Sequence, residues 1–72
     1  MRGNFIYKKI GERLAIERER KNMSQERVAM LSEMDRTYLA RIEEGKANPS
    51  LKILTKISRA LSIKLFSLFK EI

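Results

Sequence analysis

The chain has 72 residues, with sixteen Lys or Arg against nine Asp or Glu, and it contains neither Cys nor His. That length allows one small domain, and the two missing residue types exclude disulfides, zinc fingers and His-based catalysis. A formal charge of +7 suits a polyanion, nucleic acid before an acidic membrane surface, although it also lies within the solubilising range of about 2–8 usual for small domains.

No apolar run approaches the roughly 18 residues of a membrane span, and Met1 to Ile10 lacks the apolar stretch of a signal peptide. The absence of Cys fits a reducing compartment. A soluble, cytoplasmic protein with no membrane partner is therefore expected. Three Gly and one Pro leave few breaks, so residues 1–72 read as one all-α domain of five amphipathic helices. Without staples, a domain this small needs very regular helix packing or a partner subunit.

The first helix is expected from Phe5 to Lys21, where Ile6, Ile10 and Leu14 recur at helical spacing and make one apolar stripe. Asn22 follows as a left-handed cap, the next best residue after Gly. Ser24 is a good N-cap for a second helix over residues 25–32, only about two turns long and dependent on its neighbours. Glu33, Met34 and Asp35 form a break, and Asp35 can cap a third helix over residues 36–44, which Gly45 ends. Lys46, Ala47, Asn48 and Pro49 make a loop. Ser50 caps a fourth helix from Leu51 to about Leu61, with Leu51, Leu54, Ile57 and Leu61 along one face. A fifth is expected from Lys64 to Ile72.

The stretch from Gln25 onward has the grammar of a helix-turn-helix. Val28 and Ala29 lie on the inner face of the first helix of the pair, and Ala29 allows a close crossing. Met34 fills the turn, while Leu39 and Ile42 anchor the second helix. That leaves its N-terminal half protruding, with Arg36, Thr37, Ala40 and Arg41 outward and able to enter a major groove. Arg36 is the leading base reader, since Arg can bond guanine O6 and N7 together, worth about 1–3 kcal/mol of discrimination; the plainer alternatives are a phosphate contact or a solvated arginine. Thr37 could touch a thymine methyl, donate to a base edge or contact a phosphate, and Arg41 could contact a base or a phosphate. Tyr38 could reach backbone phosphate or a neighbouring base through its hydroxyl, or simply pack on the helix pair. Ser24 and Gln25 sit at a helix N-terminus, which favours an anion.

Ser24-Gln25, together with Ile42-Glu43-x-Gly45-x-x-Asn48-Pro49-Ser50, resembles the lambda-repressor/Cro-type helix-turn-helix family, and the resemblance runs from about Ile10 to Phe69. Within it, Asp35-Arg36-Thr37-Tyr38-Leu39 is most similar to the controller proteins of restriction-modification systems, small homodimeric regulators of the restriction gene and of their own gene. The resemblance implies a lambda-repressor-like fold, double-stranded DNA as partner and no cofactor. It implies phosphate contacts at Gln25, Lys46 and Asn48, with ordinary loop polarity as the alternative for the last two, and an ion pair between Arg18 and Glu43 that fixes the first helix on the motif. Glu44 is either solvated or part of a surface touched by RNA polymerase. Three positions depart from the family pattern: Glu33 stands at the turn glycine, Ser62 at a helix-ending glycine, and Glu17 where a small or apolar residue is common.

Glu43 and Glu44 adjoin, but adjacent helical residues point about 100° apart, so they form no paired-carboxylate site. No nucleophile with a base, phosphate loop or metal cluster can be assembled, and an enzyme is not expected. Leu65, Phe66, Phe69 and Ile72 exceed what one face of a short helix usually buries; they either cap the core or, the better reading, form a homodimer interface with Phe66 its most exposed member. Phage-type repressors, antitoxin-like regulators and a protein-interaction module of the same fold are the alternatives.

Overall fold

A computed structural model describes residues 2–72, with side chains from Phe5 onward. Helix α1 spans Arg2–Arg20, α2 Gln25–Leu31, α3 Arg36–Glu43 and α4 Leu51–Ala60, and a single 3-10 turn at Leu65–Leu68 follows. Among the described residues there is no strand. The fold is thus all-helical, but it has four α-helices where the sequence pattern predicted five.

The fifth helix fails for a physical reason. The nine residues from Lys64 to Ile72 are too few to sustain a helix without tertiary support, and the support they find pulls them out of α geometry. Leu68 is fully buried, and the Ser67 carbonyl accepts a hydrogen bond from Arg13 Nη1 at 3.1 Å. The backbone bonds of the segment instead span three residues, from Ser67 N–H to Lys64 O, Phe69 to Phe66 and Ile72 to Phe69.

Each α-helix ends in the same way. Asn22, Glu33, Gly45 and Ser62 all have positive φ, between 57° and 75°. At each, the N–H of the next residue reaches back to a carbonyl five positions earlier: Met23 to Arg18, Met34 to Ala29, Lys46 to Arg41, and Ile63 to Ser58. This is the Schellman arrangement, which satisfies carbonyls that a helix end leaves open. Only one of the four positions is glycine, so Glu33 and Ser62 hold a conformation that costs an L-residue about 1–2 kcal/mol. The N-termini are less uniform. Ser24 Oγ accepts from the Arg27 N–H and Ser50 Oγ from the Ile53 N–H, whereas Asp35 occupies the capping position of α3 without a side-chain hydrogen bond.

The core gathers Ile10 and Leu14 from α1, Val28 and Ala29 from α2, Leu39 and Ile42 from α3, Leu54 and Ile57 from α4, then Leu61 and Leu68. Met34 is half-buried against it in the turn. Two residues assigned to apolar stripes stand outside. Ile6 is 40% exposed because the first turns of α1 run on past the end of α3, and Leu51, 64% exposed, opens α4 ahead of the turns that pack.

The crossing of α1 and α3 depends on a residue that periodicity does not reveal. Gly11 is buried, and a Cβ there would collide with the Ile42 carbonyl oxygen and lie 2.7 Å from that of Glu43. A side chain would push α1 off the end of α3.

Substituting Glu33→Gly relieves the left-handed turn between α2 and α3, where the side chain has only a 3.8 Å contact to Lys56. We expect a gain of up to about 1 kcal/mol, seen as a rise in melting temperature of about 4–8 °C by circular dichroism. An unchanged or lower midpoint would mean that the turn carries no such strain.

Candidate nucleic-acid interface

Two short helices, α2 and α3, carry the candidate contacts, and neither is long enough to be stable alone. What fixes them is a polar cluster around Glu43, the last residue of α3. Arg18 on α1 donates from Nε to Glu43 Oε2 at 2.7 Å and from Nη2 to Oε1 at 3.1 Å. Gln25, the first residue of α2, donates from Nε2 to the same Oε1 at 2.9 Å. Arg18 Nη1 also donates to the Met23 carbonyl at 2.8 Å, which ties down the loop ahead of α2. The Arg18 and Glu43 side chains are only 13% and 6% exposed. The hydrogen bonds to Glu43 hold the Arg18 guanidinium above its usual pKa against the opposing effect of burial, and the charges of Glu43 and Glu19 add to the rise. One carboxylate therefore joins three helices.

With α3 held by its carboxyl end, its outer face is open. Arg36 and Thr37 in the first turn are exposed, and Ala40 is half-buried. Arg41 is exposed as well, but it is less free than Arg36, since its Nη2 donates to the Lys46 carbonyl at 2.9 Å and draws the guanidinium toward the following loop. Tyr38 is half-buried and packs against the core, so the packing alternative accounts for most of its surface. Lys46 and Asn48 are exposed in the loop, with only a 3.7 Å contact between Lys46 Nζ and the exposed Glu44.

Gln25 has a structural role, its bond to Glu43, that the sequence pattern does not reveal. One hydrogen of its side-chain amide is committed to Glu43, and the Arg27 N–H in the same turn is taken by the Ser24 hydroxyl. Ser24 is exposed, and its hydroxyl serves the helix as a cap.

At the other end of the chain, Leu65 and Phe69 are half-buried against the core, while Phe66 is 67% and Ile72 43% exposed. Among the described residues Phe66 is the most exposed large apolar side chain, followed by Leu51 and Met30. No described helix is long and apolar enough to cross a membrane.

Residues 14–68 match the sequence pattern of a helix-turn-helix family. Control protein C.MunI of Mycoplasma sp is 43% identical over 70 residues, a match covering 96% of this chain and 95% of that protein. The restriction-modification controller protein C.AhdI from Aeromonas hydrophila has a crystal structure similar to this one, with a TM-score of 0.86 at 41% identity over 88% of this chain and 96% of that one. The restriction-modification controller protein C.Esp1396I, solved as a tetramer in complex with its natural 35-base-pair operator, gives a TM-score of 0.83 at 32% identity over 92% of this chain and 87% of that one.

Removing the central carboxylate should be costly, because Glu43→Ala leaves the part-buried Arg18 guanidinium with only the exposed Glu19 carboxylate, 3.9 Å away, as a counter-charge, and Gln25 without its acceptor. A loss of about 3–5 kcal/mol is expected, a large part of a domain stability of about 5–15, measured by urea denaturation. An all-apolar replacement, Arg18→Met with Glu43→Leu, should recover part of it. A loss below about 1 kcal/mol for Glu43→Ala would show that the cluster does not hold the motif together.

Proposed function

This chain belongs to the lambda-repressor/Cro-type helix-turn-helix family, matched over residues 14–68, and on that footing we propose that it is a sequence-specific, double-stranded DNA-binding transcriptional regulator acting as a homodimer on a two-fold-related operator. Its finer role is that of a restriction-modification controller protein, regulating a restriction gene and its own. Similarity to C.MunI and C.AhdI over nearly the whole chain supports the controller assignment. The family is one of DNA-binding regulators, and the chain is not an enzyme. On this reading it works in the cytoplasm, alongside the DNA it binds.

The observation that carries the proposal is the exposed face of α3, anchored from behind by Glu43 and left free at its amino end. The first turn of α3 enters the major groove, where Arg36 can donate two hydrogen bonds to one guanine. Thr37 and Ala40 face thymine methyls or base edges, and Arg41 reaches either a base or the backbone. Ser24, Gln25, Lys46, Asn48 and the Tyr38 hydroxyl contact phosphate; these contacts set register and orientation without reading sequence. Leu65, Phe66, Phe69 and Ile72 join two protomers. Two copies of α3 then fall on successive major grooves, about 34 Å apart.

Selection of bound sites from a random DNA pool tests specificity and symmetry together. The expected product is a pair of inverted half-sites one helical turn apart. Arg36→Ala should then relax the preference at one base pair in each half-site, at a cost of about 1–3 kcal/mol; uniform weakening on all sequences would make Arg36 a phosphate contact instead. A pool with no enriched sequence would point to a protein-interaction module of the same fold.

The interface is tested separately. Phe66→Asp places a charge at the most exposed position of the apolar tail and should shift the protein toward monomer in sedimentation analysis. A dimer of unchanged affinity would remove Phe66 from the contact.

A further inference from the structure

The edge of α1 that faces α3 carries Lys8, Gly11, Ala15 and Arg18, three or four residues apart and therefore on one side of the helix. Gly11 lies against the last carbonyls of α3, and Arg18 holds Glu43. Lys8, one turn earlier, extends past the end of α3 and comes beside Gly45 instead. A Cβ at Gly45 would lie 2.7 Å from Lys8 Cα and 3.1 Å from Lys8 Cβ, and Gly45 has a φ of +75°. Both demands exclude a side chain at position 45, so the base of Lys8 is fixed against the loop that begins there.

Three basic residues lie around this corner, with Glu44 3.7 Å from the Lys46 ammonium. Lys8, Arg41 and Lys46 are all exposed, and Arg41 is hydrogen-bonded to the Lys46 carbonyl. With the amino end of α3 in a major groove, its carboxyl end and the next loop stand at the groove edge, where the sugar-phosphate backbone runs. Lys8 is directly beside that loop, and its flexible four-carbon stem carries a point charge suited to phosphate rather than to a base edge.

We infer that Lys8 of α1 is a further DNA-phosphate contact, forming one basic ridge with Lys46 across Gly45. This contact rests on the operator-binding reading of α3. It is electrostatic and sequence-independent, and it extends the footprint beyond the two helices of the motif. The competing explanation is intramolecular: a cation near the carboxyl end of α3 also stabilises that helix through its dipole. The two explanations separate in the measurement, because a phosphate contact releases counterions and a dipole contact does not.

Lys8→Gln is compared with the wild type and with Lys64→Gln, an equal charge change in the C-terminal segment, by titrating operator DNA at several salt concentrations. Each phosphate contact contributes about 0.9 to the slope of log affinity against log salt. Lys8→Gln should therefore lower the slope by about 1.8 for a dimer, with the selected sequence and the melting temperature unchanged, while Lys64→Gln leaves the slope where it is. An unchanged slope in Lys8→Gln overturns the contact, as does an equal fall in both variants. A lower melting temperature with the slope preserved assigns Lys8 to the helix dipole and overturns it too. Absence of operator binding by the wild type removes the operator reading and this contact together, whereas normal wild-type binding with an unaltered Lys8→Gln slope removes this contact alone.

Discussion

One carboxylate, that of Glu43, sets the geometry on which the rest of the molecule depends. Helices of seven and eight residues have no independent stability, so α2 and α3 take their orientation from what grips them. Glu43 receives two hydrogen bonds from α1 and one from α2, and it does so from the last position of α3, while Arg36 and Thr37 in the first turn of that helix are exposed. Anchorage at one end and an exposed face at the other is what the proposed groove-reading role of α3 requires. A buried ion pair adds little net stability compared with an apolar pair of the same size. Its value lies in direction: a bidentate guanidinium tolerates a narrow range of angles, where a leucine would not.

Gly11 completes that constraint from the steric side. The ion pair draws α1 toward the end of α3, and the missing side chain at Gly11 lets the two backbones meet. Attraction and clearance lie two turns apart on the same edge of α1. Apolar contacts from Ile10, Leu14, Leu39 and Ile42 then fill the space beside them, so packing, hydrogen bonding and close approach agree on one crossing.

Much of this architecture was legible in the sequence. The capping serines at 24 and 50, the left-handed positions at 22 and 45 and the alternation of buried residues through the motif all follow from local chemistry. What escaped shares one property: it depends on which surfaces meet. Periodicity placed Leu51 and Ile6 on apolar stripes but could not say that each stripe outruns its partner. Gly11 is unremarkable in a helix until the helix it touches is known. The C-terminal segment has a helical pattern, and its 3-10 geometry comes from the burial of Leu68 and the bond between Arg13 and Ser67, both nonlocal. Asp35 has the right identity for a cap, yet identity alone does not make the hydrogen bond. At the candidate interface, the exposure of Arg36 could be read from spacing, but the partial capture of Arg41 by the Lys46 carbonyl could not.

The four left-handed helix ends differ in what surrounds them, and the difference has an evolutionary consequence. At Gly45 the backbone angle and the crowding by Lys8 both forbid a side chain, so descendants of this chain have one residue to choose. Asn22, Glu33 and Ser62 are exposed, so residues other than proline can stand there at the cost of the left-handed backbone angle. Drift can accumulate at those three sites while the architecture persists, and a lineage moving to a hotter habitat could reclaim the lost margin there without altering the exposed face of α3.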